Sequence, residues 1–443
     1  MKITIDFDHS VGQMKPMHGI GQPPFYGDDF SLFHWLKEAG IPYSRLHDVG
    51  GALGGGLFVD IPNIFRDFDA DPYDPDAYDF AFTDRLIDHL CEIGCEPFFR
   101  LGVTIENSHM LKAYRIFPPK DPQKWAVICE HIIRHYNEGW ADGHHYGIRY
   151  WEIWNEPDDC YTTETSMMWR GTPEQFYELY DVSARHLKSV FGDTIMVGGY
   201  AHCGFYAYEN YPDLSDIGRK CNTFMEFFFE FLDGFFRYIR AHGSPLDFFS
   251  WHTYADVKTA MKHAEVCREI LDRHGFENVP DILNEWNPCT DAATRKSHVP
   301  ASRALAMMLG MQNHRTSMLC YYDARIGPSS YGGLFNPDSW EPYPAYYAFR
   351  AFNEAYRLGH QVECVSDNEN VYAAAAAGNA GKVLLLANIG GECDMEIDCG
   401  GIESPIISSV KVIDAANTYE ELKDFGGRSL HLPADSCFEI HFS

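Results

Sequence analysis

Between about residue 17 and residue 357 the chain repeats one theme: a short apolar run, a turn, then a longer amphipathic segment. The runs end at MHGIG (17–21), PYSRLH (42–47), EPFFRLG (96–102), RYWEIWNE (149–156), TIMVGGY (194–200), LDFFSWH (246–252), DILNEW (281–286) and SMLCYYD (317–323), eight in all. Strands that alternate with helices imply a parallel sheet. Eight units over this span average roughly 42 residues each, more than a minimal (β/α)8 barrel needs and within its range once loops are extended. The pattern therefore predicts an α/β fold, a (β/α)8 TIM barrel over residues 17–357. An open doubly wound sheet is the alternative, but no glycine-rich phosphate turn follows the first run. Phe82, Leu86, Leu90 and Ile93 recur at helical spacing and predict one buried face. TPEQF marks a helix start, with Thr172 as the cap and Pro173 in the first turn.

Past Gly359 the texture changes to short strands separated by Gly and Asn turns, and the last residues, SLHLPADSCFEIHFS, alternate. A small all-β sandwich domain is expected over 358–443. The opening MKITIDF alternates too, so residues 1–16 are expected to add a strand to it. Hydrophobic residues make up 45% of the 443, enough for a sizeable core. The formal charge of −29 argues against nucleic acid or an anionic membrane as partner, since phosphate binding needs clustered Lys and Arg. No run reaches the ~18 apolar residues of a membrane span, and MKITIDFDHS lacks the apolar core of a signal peptide, which predicts a cytoplasmic protein. The thirteen cysteines then read as reduced core thiols.

Acting side chains of such a barrel sit at the carboxyl ends of its strands. Those ends carry Arg45 and His47, Glu106 and Asn107, Asn155 and Glu156, His202, His252 and Tyr254, Asn284 and Glu285, and Asp323 and Arg325. Alternation through RYWEIWNE puts Tyr150, Glu152, Trp154 and Glu156 on one face and Trp151, Ile153 and Asn155 on the other, with Pro157 ending the strand. Glu156 and Glu285, each behind an Asn, stand 129 residues apart, about three units. A lone Glu at a strand end is ordinarily a solvated or salt-bridged group. Two in matched context suggest glycoside hydrolysis, in which one carboxyl protonates the leaving oxygen while the other attacks or stabilises the oxocarbenium-like carbon.

WEIWNEP and LNEW, with RLH and WHTY, resemble the clan A retaining glycoside hydrolases, and most of all glycoside hydrolase family 39, known for β-xylosidases and α-L-iduronidases. The resemblance covers nearly the whole chain and implies a barrel with an accessory β-sandwich. It implies Glu156 as general acid/base, Glu285 as nucleophile, Asn155 on the sugar 2-hydroxyl, and His47, His252 and Tyr254 around the sugar. Physical chemistry asks the same of the pair. Glu156 must stay protonated, through the charge of Glu285 and burial among Trp151 and Trp154, whereas Glu285 must stay ionised, with Arg45 and the Tyr254 hydroxyl as stabilisers. Trp286 and Trp340 read as aromatic platforms for sugar rings. Arg325 either meets a carboxylated sugar or pairs with Asp323 or another barrel acid. Arg100, where the family pattern leads one to expect a carboxylate, and the loop DARIGPSSYGGLFN depart from that pattern, which leaves the sugar open.

The expectation is an exo-acting retaining glycosidase for an oligosaccharide or small glycoside, β-xylosidase-like or for a related sugar, without cofactor. A non-catalytic carbohydrate-binding barrel is the rival. No metal is expected either: His131 and His135 stand four apart in HIIRH without the intervening Glu of a zinc-protease helix and read as an exposed helical face. His202 and Cys203 read as polar lining of the barrel mouth. The aromatic run 224–240 reads as a core helix with surplus surface for a homo-oligomer contact.

Overall fold

The computed structural model describes residues 1–49, 59–104, 115–159, 166–208, 223–326, 331–400, 406–423, 425 and 427–443, with only the backbone at 223–226. Glu106 and Asn107 lie outside the described residues. After β1 (Lys2–Gln13), eight strands close a barrel: β2 (Gly19–Gly21), β3 (Tyr43–Leu46), β4 (Glu96–Leu101), β5 (Tyr150–Ile153), β6 (Met196–His202), β7 (Phe248–Thr253), β8 (Asp281–Trp286) and β9 (Met318–Tyr321). Every neighbouring pair is parallel, and β9 returns to β2.

The described helices are α1 (Phe33–Glu38), α2 (Ile61–Ile64), α3 (Ala81–Glu92), α4 (Pro122–Glu138), α5 (Pro173–Phe191), α6 (Thr223–His242), α7 (Val257–Arg273), α8 (Val299–Gln312) and α9 (Pro344–Leu358). Helix α5 starts as its sequence signals, with Thr172 and Gln175 in a reciprocal capping box and Pro173 in the first turn. Helix α3 is rotated from expectation. Thr83, Leu86, Ile87 and Leu90 are its buried face, and Phe82 is 49% exposed.

Inward side chains stack in layers because strand residues two apart share a face. Phe98, Phe248, Ile282, Met318 and Cys320, with Tyr43, Tyr150 and Met196 beside them, form an apolar floor. Two residues further along the same strands come Arg45, Arg100, Glu152, Ser250 and Asn284, a buried polar layer. The site rests on that layer.

The second domain is one nine-stranded sheet, ordered β15-β14-β17-β12-β11-β10-β1-β13-β16. Its remaining strands are β10 (His360–Ser366), β11 (Val371–Gly378), β12 (Gly381–Asn388), β13 (Cys393–Asp398), β14 (Ile407–Ile413), β15 (Thr418–Glu421), β16 (Ser429–Leu432) and β17 (Ser436–Phe442). All pairings are antiparallel except β1 with β13. Val410 and Val412 near one end and Met395 and Leu430 near the other share one apolar cluster, so a single sheet folds over its own core. Strand β12 shows the division: Leu384 and Leu386 face that core, whereas Val383, Leu385 and Ala387 join the barrel's core. The described cysteines are all free thiols.

Candidate active site

Strand β5 stops at Ile153, three residues before the carboxylate, and the next residues break the two-residue alternation. Trp154 and Glu156 take left-handed φ values of 72° and 44°. Asn155 and Glu156 therefore both address the barrel mouth, where strict alternation would have separated them. The Glu156 amide donates to the Tyr200 carbonyl on β6, which anchors this turn. Trp151 and Trp154 turn outward. Trp151 stacks on Phe99 and Trp154 packs against Trp125 and Trp169, so neither ring supplies the burial of Glu156.

Arg45 organises the interior. Its Nη1 donates to Glu285 Oε1 at 2.6 Å, its Nη2 to Asn155 Oδ1 at 2.6 Å, and its Nε to Glu152 Oε2 at 2.8 Å. Asn284 donates to the other oxygen of Glu152 at 2.6 Å. Arg45 and Glu152 are buried in full, a placement tolerated because each charge meets an opposite one with directed hydrogen bonds. Asn155 spends its carbonyl on Arg45, which leaves its amide nitrogen as the donor for a ligand hydroxyl.

Strand β7 serves both carboxylates. His252 Nδ1 lies 2.5 Å from Glu156 Oε1 and 3.6 Å from Glu285 Oε2, and just past the strand the Tyr254 hydroxyl donates to Glu285 Oε2 at 2.6 Å. One oxygen of Glu156, one of Glu285 and a ring nitrogen of His252 all lie within 4.8 Å of one another. The two acids are nevertheless in different states. Burial, then the charges of Glu285 and Asp158, raise Glu156 well above the ordinary carboxylate range. Glu285 is held below it. Burial alone would raise it, but His252, Arg45, His47 and the Tyr254 hydroxyl outweigh that. Burial also lowers His252 to about 4, so at neutral pH the imidazole is uncharged and, among the described residues, Arg45 is the cation in contact with Glu285 that holds it ionised.

Around this pair stand further groups, among which Asp48, Asp60, Asp158 and Asp159 were not assigned from the sequence. Asp158, wholly buried, lies 2.5 Å from His202 Nδ1 and accepts from the Cys203 thiol. Burial and the neighbouring acids Glu156 and Asp158 raise Asp159 to about 8. His47 Nδ1 accepts from Arg100 Nε at 3.1 Å and its Nε2 faces Asp48 at 3.0 Å, while Tyr322 donates to the other oxygen of Asp48 at 2.7 Å. Arg100 also donates to Asp60, which sets it among acids of its own.

Two assigned residues are placed otherwise. Trp286 is buried in full between Tyr321 and Phe349 of α9, on the helix side of β8, because a register shift after Leu283 turns both Asn284 and Glu285 inward. It offers no face to a sugar. Arg325 donates to Asp323 Oδ2 at 2.7 Å and to the Tyr322 hydroxyl at 3.2 Å, the ion-paired reading. Trp340 remains half-buried beside Tyr26, whose ring is 44% exposed. His131 and His135 are buried, contrary to the exposed face expected, because α3 and the loop after α4 cover that side.

Two bacterial proteins named beta-xylosidase are similar in sequence. One, from Geobacillus stearothermophilus, is 28% identical over 294 residues, covering 64% of this chain and 49% of its own. The other, from Caldicellulosiruptor saccharolyticus, is 27% identical over 322 residues, covering 68% and 57%. The chain thus spans about half the length of these relatives. Among solved structures, a glucosidase from Croceicoccus marinus superposes over 100% of this chain and 98% of its own, with a TM-score of 0.77 at 20% identity. A GH39 β-xylosidase from Caulobacter crescentus covers 100% of both chains, with a TM-score of 0.70 at 17% identity. At such identities the likeness is one of fold. The family model for glycosyl hydrolases family 39 matches residues 10–304, well over half of the 443, and the chain belongs to that family.

Proposed function

We propose that this chain hydrolyses a glycosidic bond with net retention, Glu156 acting as acid and then base and Glu285 as nucleophile. The observation that carries the reading is the division of states across a gap of at most 4.8 Å between nearest oxygens. Carboxyl groups about 5–5.5 Å apart suit double displacement, whereas about 6.5 Å or more leaves room for a directly attacking water. Glu285, ionised beside Arg45, attacks the anomeric carbon as Glu156 gives its proton to the departing oxygen. Once Glu285 is esterified its charge is gone. The Glu156 pKa then falls, and its carboxylate can take a proton from the water that releases the sugar.

The sugar we propose is a pentoside of the β-xyloside type at the non-reducing end of a small glycoside, on the strength of the two named relatives. The test is a panel of aryl xylosides, arabinosides, galactosides, glucosides, fucosides and uronides, with NMR of the first-formed anomer, for wild type beside Glu285→Ala. Cleavage of one glycoside with retained configuration, lost in the variant, is the expected result. First-formed product of inverted configuration would refute double displacement. A wild type that binds but never cleaves these glycosides or the matching disaccharides would favour the carbohydrate-binding barrel.

A further inference from the structure

On the outer flank of the barrel, α3, the last turns of α4 and the loop that enters β5 from its amino-terminal end bring together two histidines and two aspartates. His135 is buried, its side chain 2% exposed, and its ring stacks on Phe80. Its Nε2 lies 2.9 Å from Asp84 Oδ1, and His144 Nε2 lies 3.8 Å from the same oxygen. Zn²⁺ bonds of about 2.0–2.2 Å in tetrahedral array set their ligand atoms roughly 3.4 Å apart. The two observed separations straddle that value. The side chains of Asp84 and His144 are 28% and 24% exposed, which leaves a path for an ion and a fourth position for water.

The surroundings of each candidate ligand are those a metal site needs. A histidine that binds metal through one nitrogen directs the other to a carbonyl or carboxylate, which fixes its tautomer. His135 Nδ1 lies 2.9 Å from the Trp140 carbonyl, and His144 Nδ1 lies 3.5 Å from Asp88 Oδ1. The carboxylates are held in turn. The Tyr136 hydroxyl donates to Asp84 at 2.9 Å and the Tyr146 hydroxyl to Asp88 at 2.7 Å. The two ring nitrogens of His135 thus face one oxygen each, the Trp140 carbonyl and Asp84 Oδ1, both at 2.9 Å. We infer that Asp84, His135 and His144 bind a divalent cation of the Zn²⁺ class, with Asp88 orienting His144. The three ligands come from three successive segments of chain, so the ion would tie α3, α4 and the β5 entry together, away from the catalytic carboxylates at the other end of β5.

The test is calorimetric titration of chelator-treated full-length protein with Zn²⁺, repeated on His144→Gln, Asp88→Asn and Glu156→Gln. One saturable site is expected in the wild type. His144→Gln should weaken it more than about 100-fold and Asp88→Asn by about 10–100-fold, while Glu156→Gln leaves it unchanged and so excludes the catalytic cluster as the binder. His144 is partly exposed, and circular dichroism of that variant should match the wild type. Absence of saturable binding up to about 1 mM Zn²⁺, or binding insensitive to His144→Gln, would overturn the site and leave His135 and Asp84 as an ordinary ion pair.

Discussion

Replacing Arg45 by Met removes the guanidinium that donates to Glu285 while keeping a side chain of similar length. The guanidinium and the carboxylate meet at 2.6 Å with both groups buried, so solvent screening discounts their attraction little. Charge centres about 4 Å apart at an effective dielectric constant near 20 attract by about 4 kcal/mol, and opposite charges at such range depress a carboxyl by about 1–3 pH units. The sign follows from Glu285 being the depressed acid. Its stabilising contribution is present above the ordinary carboxylate range and lost as pH falls through its native pKa, so removing Arg45 moves that loss upward. The acid limb of the kcat/KM profile should therefore rise by about 1–3 units, with kcat/KM at a fixed mildly acidic pH falling by at least tenfold. The protein should also lose about 3–5 kcal/mol of stability, because Glu152 is left as an uncompensated buried charge. Arg45→Lys supplies the control: it keeps the charge but not the three-way fork, so the acid limb should stay while kcat falls as Asn155 loses its anchor. The assay is the initial rate on the best aryl glycoside across pH, with a thermal melt of each variant. An Arg45→Met profile whose acid limb coincides with wild type would refute the assignment of Arg45 as the group that keeps Glu285 ionised.

Asp158→Asn removes a charge that raises Glu156, so the basic limb of kcat/KM should move to lower pH; a fall in rate with no change of limb would mean that Asp158 only braces the turn. Between the ordinary carboxylate range and its raised native pKa, Glu156 holds a proton in the native state and none in the unfolded state. Native stability then falls with rising pH by about 1.4 kcal/mol per unit from this group. Glu156→Gln should remove that slope, so its melting temperature should gain on the wild type from about pH 5 to about pH 7, and parallel curves would contradict the raised pKa.

The eight barrel strands were legible because strands buried on both faces read as apolar runs between turns, and such runs need no knowledge of their partners. Glu156 and Glu285 were legible for a related reason: a strand end is marked by its own chain, here by Asn-Glu before Pro157 and Trp286. What escaped was whatever depends on departures from strand geometry or on the far side of the barrel. Asn155 was assigned to the wrong face because left-handed residues at 154 and 156 reset the alternation. Glu152 was seen as an inward carboxylate, but Arg45, its partner 107 residues away, is set by barrel closure and not by local pattern. Trp286 is the same case as Asn155: a register shift after Leu283 lets Asn284 and Glu285 both face inward, and that sends Trp286 outward.

Glu156 and Glu285 are chemically equivalent carboxylic acids, so their different states come from their surroundings. Strand β7 contributes to both, through His252 and then Tyr254. The asymmetry comes from elsewhere: β3 sends Arg45 to Glu285, while the turn after β5 keeps Asp158 beside Glu156. The two influences act through different elements, but Arg45 depresses Glu285 by direct contact and also lowers Glu156, so its removal should raise both limbs, whereas removal of Asp158 should lower the basic limb. Arg45→Met combined with Asp158→Asn should raise the acid limb, while the basic limb, pushed up by the first and down by the second, moves by the sum of its two single-variant shifts to within about 0.3–0.5 kcal/mol, the usual tolerance for independent sites. Limbs of the double variant that depart from those sums would instead show the pair titrating as one unit. In that case the roles of acid and nucleophile would belong to the whole mouth and not to the neighbours of each residue.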